Sequence, residues 1–187
     1  MSRKGVSVTL HPAGEPLPEL SAGDVILTHS RNWVGWLIRF GQALRFRGDR
    51  RVYANWNHAC LAVSPSVVVE ALSHGVVLSP ISKYEQTEFA LVHTPLSVED
   101  QEQMVKFAAA VVRERTKYGY FEIASLALSL LWPFKRKLRF LNIATIICSG
   151  LVAEIRVRGW DIFPEAPIFM EPAGLAEHYD ARGLGAP

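Results

Sequence analysis

The sequence predicts an α+β fold in which an antiparallel sheet packs against helices. Short apolar runs bounded by turn residues recur through the middle of the chain, and runs with apolar residues at intervals of three and four lie on both sides of them. The length of 187 residues fits one domain. About half of the residues are hydrophobic and a fifth are charged, which is the composition of a folded protein.

The charge and the cysteine content argue against a nucleic-acid-binding protein and against a protein held by several disulfides. The chain has 20 basic and 18 acidic residues, far from the dense basic stripe of a nucleic-acid binder. Cys60 and Cys148 are the only cysteines, so there is no disulfide framework, and a reducing compartment is expected. The N-terminus lacks the continuous apolar run of an export signal. These features favour a cytoplasmic protein that does not bind nucleic acid.

The pattern divides the chain into three parts. Residues 1–22, with three prolines, are predicted to form an extended arm, residues 23–160 the folded domain, and residues 161–187 an irregular tail with four prolines. Apolar and β-branched runs predict five strands in the domain. These strands cover residues 25–28, 58–63, 67–72, 75–78 and 88–93.

Apolar periodicity predicts several helices. The first covers residues 32–44, and six of its apolar residues are expected to share the face that covers the sheet. They are Trp33, Val34, Trp36, Leu37, Phe40 and Leu44. The arginine-rich stretch 45–51 is predicted to be an exposed loop that could serve as a lid. Ser97 and Asp100 form a capping-box variant that begins a helix ending near Thr116.

Cys148 is the best candidate for a nucleophile. It precedes an amphipathic run over residues 149–157, which predicts that the thiol stands at a helix N-terminus. The helix dipole and free backbone amides there favour a thiolate, and the same amides can bind an oxyanion. The alternative is a buried cysteine that only fills space, as many free cysteines do.

A cysteine nucleophile needs a base, and His58 is the best of six histidines. It opens a predicted strand and shares a face with Cys60. Glu70 lies in the next predicted strand directly after three valines, where a charge is costly unless it has a partner. A hairpin would bring Glu70 near His58, where a carboxylate orients an imidazole. The alternative for Glu70 is a strand-end residue in water.

The order of four motifs resembles one known family. They are Gly23-Asp24-Val25-Ile26, Asn57-His58-Ala59, Val69-Glu70-Ala71 and Cys148-Ser149-Gly150-Leu151-Val152. This order resembles the circularly permuted papain-like hydrolases of the NlpC type, close to the YiiX-like permuted amidase group. In that family the histidine strand precedes the cysteine helix. The likeness spans roughly residues 23–157 and implies a papain-like fold with a partly barrel-like antiparallel sheet.

The resemblance also implies roles for single residues. Cys148 would be the nucleophile, His58 the general base, and Glu70 the residue that orients His58, with no cofactor. Tyr118, Ser149 and Trp33 are the candidates for substrate contact. Tyr118 departs from the family pattern, because the family often has a Tyr-Asp pair there and Gly119 follows here. Cys60 is a second departure, interpreted as a core residue or as a redox contact to Cys148.

The substrate and the class of function stay open at this point. An amide or ester fits the chemistry, and the substrate could be a peptidoglycan peptide, in a phage-associated setting for instance, or a lipid. The apolar stretch 121–132, the tryptophans Trp33 and Trp36, and a basic cluster over residues 135–139 favour contact with a membrane surface. The alternative to an enzyme is a non-catalytic module that has the same fold and binds a ligand in the cleft where a hydrolase would hold its substrate.

A metal site is a further alternative. His58, Cys60, Glu70 and Cys148 carry the ligand types that zinc prefers. The sequence has no paired Cys-x-x-Cys or His-Glu-x-x-His spacing, which disfavours a metal. No metal is therefore expected.

Overall fold

In the computed structural model, residues 5–29, 33–72, 75–113, 148–158 and 170–182 are described. Their strands form one six-stranded antiparallel sheet. The bounds are β1 (Ser7–His11), β2 (Val25–Thr28), β3 (His58–Ser64), β4 (Val67–Leu72), β5 (Gly75–Pro80) and β6 (Phe89–His93). The helices are α1 (Trp33–Arg45), α2 (Val98–Arg113), α3 (Cys148–Arg158) and α4 (Pro172–Tyr179), with 3-10 helices at Gly48–Asn55 and Ile81–Tyr84.

The strand order is β1-β6-β2-β3-β4-β5, and each neighbouring pair is antiparallel. β2 lies between β6 and β3, so all four of its residues are buried. The segment β3, β4 and β5 is a meander with short turns, as the alternation of apolar residues predicted. The predicted α+β class and the largely antiparallel sheet are confirmed.

Side chains alternate between two apolar layers, one on each face of the sheet. The larger layer lies under the helices. It includes Val25, Leu27, Leu61, Val69, Met104, Ala108, Leu151, Ile155 and Leu175. The smaller layer covers the opposite face and includes Ile26, Cys60, Ala62, Val68, Tyr84 and Phe89.

Helix α2 begins as the capping box predicted. The Ser97 hydroxyl donates to Asp100 Oδ2 at 2.6 Å and accepts the backbone N–H of Asp100 at 3.2 Å. Met104, Ala108 and Val111 are buried on one face of the helix. These three residues therefore belong to the face that packs in the larger apolar layer.

The structure adds to or differs from the predicted architecture at three places. The sheet is open within the described residues, because β1 and β5 are its edges and do not pair, so the partly barrel-like closure is absent there. The predicted extended arm contains β1, which pairs with β6 over five residues. The tail predicted to be irregular contains α4, where Pro172 occupies the first turn and therefore costs no hydrogen bond.

The predicted inner face of α1 is also wrong. Trp36, Phe40 and Leu44 are exposed, whereas Ile38 and Gln42 are buried. The buried Gln42 side chain fixes this orientation, because its amide nitrogen donates to the Trp56 carbonyl at 2.8 Å and its oxygen accepts the Ala173 N–H at 2.9 Å. Residues 48–55 form a 3-10 helix where part of an exposed loop was predicted.

Within the described ranges, none of the helices has the length and apolar character needed to cross a bilayer.

Candidate active site

The base candidate stands at the start of β3, beside β4. In the register of the two strands Cys60 lies opposite Glu70, so His58 and Glu70 project from the same face of the sheet. His58 Nε2 and Glu70 Oε2 are 2.8 Å apart. The hairpin therefore brings the two side chains together, as the sequence predicted.

Glu70 is wholly buried and accepts hydrogen bonds from several donors. Lys83 Nζ donates to Oε1 at 2.6 Å, and the Tyr84 hydroxyl donates to Oε2 at 2.6 Å. Burial alone would raise the pKa of Glu70, but hydrogen bonds from His58, Lys83, Ser79 and Tyr84 outweigh it and hold that pKa well below its usual range. Glu70 is therefore a carboxylate at neutral pH.

Cys148 and His58 also meet. Cys148 is the first residue of α3, and its side chain forms a hydrogen bond with His58. Because Nε2 of the imidazole is used by Glu70, the ring nitrogen that remains for the thiol is Nδ1. The structure thus lines up a thiol, an imidazole and a carboxylate, in that order.

The protonation of His58 follows from this arrangement. Burial is the largest single effect and lowers the pKa of His58, because it disfavours the charged ring. The negative charge of Cys148 and hydrogen bonds to Cys148 and Glu70 outweigh burial and raise the pKa to about 9. A protonated imidazole next to a thiolate is the ion pair that cysteine nucleophiles use.

The site is deep. Cys148 exposes 2% of its surface and His58 exposes 7%. The apolar side chains around Cys148 therefore keep bulk water away from the thiol and the imidazole.

Cys60 lies on the same face as His58 and Glu70 but differs from Cys148. It is fully buried, and burial followed by the charge of Glu70 raises its pKa well above the usual value. Both cysteines are free thiols. The redox role considered for Cys60 stays a prediction. Among the residues described, no group of three His, Cys, Asp or Glu side chains is arranged to hold a metal ion.

Sequence reasoning missed the donors on Glu70. Lys83 and Tyr84 lie in the 3-10 helix that follows β5, and Ser79 lies near the end of β5. Val68 pairs with Ser79 and Glu70 with Val77, which places Ser79 diagonally across from Glu70 on one face. The predicted strand 75–78 ends one residue short of Ser79, so extending its pairing with strand 67–72 by one residue could have identified Ser79. Nothing in the local pattern indicates Lys83 or Tyr84.

Several predicted positions fall elsewhere. Tyr118, the apolar stretch 121–132 and the basic cluster 135–139 lie outside the described residues, as do the side chains of Trp33 and Ser149. Four of the competing histidines have other contacts, and His74 lies outside the described part of the chain. His11 stacks on Phe89, His29 stacks on Trp56, His93 pairs with Asp24, and His178 meets the Tyr179 ring edge-on.

Comparison with known proteins gives no relative from which a role could be transferred. No protein-family model matches the chain, and neither the curated proteins nor the solved structures contain a significant match.

Proposed function

We propose that the protein is a cysteine-dependent hydrolase or acyltransferase that acts on an amide or ester bond. The observation that carries this proposal is the series of contacts in which Cys148 is hydrogen-bonded to His58 and His58 to the buried Glu70. One hairpin and one distant helix supply the base, the orienting carboxylate and the nucleophile of a thiol hydrolase.

The proposed reaction proceeds through a thioester. His58 already holds the thiol proton as an imidazolium, and the Cys148 thiolate adds to the carbonyl carbon of the substrate. The backbone N–H of Cys148 donates to the oxyanion that forms. His58 returns its proton to the leaving amine or alcohol as the bond to the carbonyl carbon breaks. Water, or another acceptor, then gives a proton to His58 and bonds to the acyl carbon. The bond between that carbon and the Cys148 sulfur breaks, the acylated acceptor leaves, and the imidazolium and the thiolate are restored.

Glu70 serves this reaction by fixing the imidazole. Its carboxylate accepts a hydrogen bond from Nε2–H of His58, so Nδ1 is directed to Cys148. It also stabilises the charged ring that forms when the thiol loses its proton. Lys83 and Tyr84 hold the carboxylate in turn and do not contact the reacting sulfur, which makes them positioning residues.

The proposed fold family is the circularly permuted papain-like group of the NlpC type. The order of the site along the chain, with the histidine strand before the cysteine helix, supports it, as does the antiparallel sheet on which the helix packs. Within that group we propose a peptidoglycan peptide or a lipid acyl group as the substrate.

The depth of the site favours a second candidate, a non-catalytic module that binds ligands in the same cleft. Cys148 exposes only 2% of its surface. A packed cysteine with no access to solvent would have no catalytic use.

Alkylation by iodoacetamide separates the two candidates. Near neutral pH we expect Cys148 to react at least about tenfold faster than Cys60, because a thiolate is the reactive form. His58→Gln should remove most of this advantage. Peptide mass spectrometry measures both rates in one sample, since each cysteine lies in its own peptide.

The control variant is His11→Gln, because His11 lies on the edge strand β1 and stacks on Phe89. It should leave the rate at Cys148 unchanged. Equal and slow labelling of the two cysteines in the folded protein would contradict the enzyme proposal and favour the binding module.

A further inference from the structure

Helix α1 presents a stripe of large apolar side chains to solvent. Trp36, Phe40 and Leu44 follow at intervals of four residues and expose 65%, 47% and 39% of their surface. The rings of Trp36 and Phe40 stack on each other, with centroids 5.7 Å apart. A contiguous exposed apolar surface of this kind indicates a binding face.

The stripe cannot turn inward, because the opposite side of α1 is anchored. Gln42 is buried and hydrogen-bonded to backbone groups of both neighbouring helical segments. The Gly35 carbonyl accepts a hydrogen bond from Asn57 Nδ2 at 3.0 Å. Rotating α1 would break these buried hydrogen bonds, each of which costs about 1 to 3 kcal/mol when left unmade.

The charge around the stripe is positive. Residues 33–51 contain five arginines and one acidic residue, Asp49. Arg45 and Arg50 form ion pairs with Glu171 and Glu177 of the C-terminal helical region. Arg47 and Arg51 are exposed at the end of the stripe. Exposed tryptophan and phenylalanine bordered by arginine match an anionic lipid surface, where rings enter the interface and guanidinium groups meet headgroups.

The helix that carries the stripe is also linked to the candidate active site. Asn57, which donates to the Gly35 carbonyl in the first turn of α1, is the residue before His58. Trp36 directly follows Gly35. A surface that contacted the stripe would therefore meet the helix whose buried side is hydrogen-bonded next to the imidazole.

We propose that Trp36, Phe40 and Leu44, with Arg47 and Arg51, dock the protein on an anionic lipid bilayer. The docking surface stands on the exposure, spacing and charge of α1 and does not require the chemistry at Cys148. Its consequence for the substrate, that the thiol acts on an ester or amide of a membrane lipid, rests on the proposed function.

Co-sedimentation with lipid vesicles tests the docking surface. We expect the full chain to bind vesicles of phosphatidylglycerol and phosphatidylcholine, and to bind pure phosphatidylcholine vesicles at least about tenfold more weakly. Trp36→Ser with Phe40→Ser should weaken binding to the anionic vesicles by at least about tenfold, because two aromatic anchors are lost.

Two matched controls use other exposed residues. Leu78→Ser with Val98→Ser removes apolar side chains that are also exposed but belong to β5 and α2, and binding should be unchanged. Arg47→Gln with Arg51→Gln should weaken binding to anionic vesicles, while Lys106→Gln with Arg113→Gln, both on α2, should not. The arginine variants retain the aromatic stripe and so test the proposal even if the double serine variant fails to fold.

Three results would overturn the docking surface. They are no binding to anionic vesicles, equal binding to both kinds of vesicle, and binding that is as strong in the Trp36 and Phe40 variant as in the wild type. The rate of Cys148 alkylation is measured on the same protein preparations before vesicles are added. Slow alkylation together with stripe-dependent binding would overturn the proposed chemistry and leave the docking surface standing, and the reverse result would do the opposite.

Discussion

A buried carboxylate such as Glu70 is tolerated only when its oxygens are paired. Removing an unpaired charge from water costs several kcal/mol even after the protein relaxes. Here a protonated imidazole, an ammonium group and a phenol all donate to the same carboxylate. The donors therefore explain both why Glu70 can lie inside the sheet and why it stays charged beside His58.

Glu70→Gln tests whether this charge sets the protonation of His58. The hydrogen bond and charge of Glu70 both raise the pKa of His58, so the amide should let that pKa fall from about 9 toward its ordinary value of 6.5. The measurement is an NMR titration of the His58 ring. Glu85→Gln, at an exposed position just after the 3-10 helix, should leave the pKa in place. An unchanged His58 pKa in Glu70→Gln would show that the charge of Glu70 does not set the protonation of the imidazole.

At the scale of elements, the buried side chain of Gln42 joins α1, the 3-10 helix at 48–55 and α4. Gln42 donates to the carbonyls of Ala54 and Trp56 and accepts the N–H of Ala173. Ala173 lies in the first turn of α4, where backbone N–H groups have no partner within the helix. Trp56 Nε1 adds a bond to the Ala181 carbonyl at 2.9 Å. The C-terminal helix is therefore part of the fold that supports the site.

Gln42→Leu should destabilise the protein by about 3 kcal/mol, because it removes one side chain from three buried backbone partners. Urea unfolding followed by circular dichroism measures the change. Gln103→Leu provides the control, since Gln103 is exposed on α2 and its replacement should change stability by less than about 0.5 kcal/mol. A loss in Gln42→Leu no larger than in the control would mean that α4 does not depend on this link.

At the scale of the whole molecule, the sequence predicted the strands and the hairpin, which depend on residues close together in the chain. Alternating apolar residues identified β3, β4 and β6, and the hairpin then brought Glu70 to His58. The pairing of β2 with β6, and of β1 with β6, joins segments separated by some 60 residues or more. Such contacts leave no mark on the sequence of either strand, so the order of the sheet could not be predicted.

The errors have physical causes of the same kind. Apolar periodicity placed the aromatic residues of α1 inside, but the three buried hydrogen bonds of Gln42 decide which side of the helix packs inward. In the tail, four prolines suggested irregular structure. Pro172 instead occupies the one helical turn that proline favours, and this preference was the signal that could have predicted α4.

The pH dependence of stability is a property of the whole chain that the site should dominate near neutrality. The folded pKa of His58 is raised from 6.5 to about 9, so its contribution to stability is complete below pH 6.5 and is lost as pH rises through about 9. The folded pKa of Glu70 is lowered, so its contribution is present above 4.5 and lost as pH falls below that value. Their joint contribution is largest between these limits.

Stability is compared in Cys148→Ser, because in the wild-type ion pair the proton that Cys148 loses on folding offsets the proton that His58 gains. Cys148→Ser should lose stability between about pH 6 and about pH 8.5, by less than about 3 kcal/mol, because Glu70 still raises the pKa of His58. Adding His58→Gln should reduce this loss, because a glutamine does not titrate, whereas adding His11→Gln on the edge strand should keep it. Urea unfolding at the two pH values gives the comparison. Parallel pH dependence in Cys148→Ser with and without His58→Gln would mean that Glu70 does not hold His58 protonated.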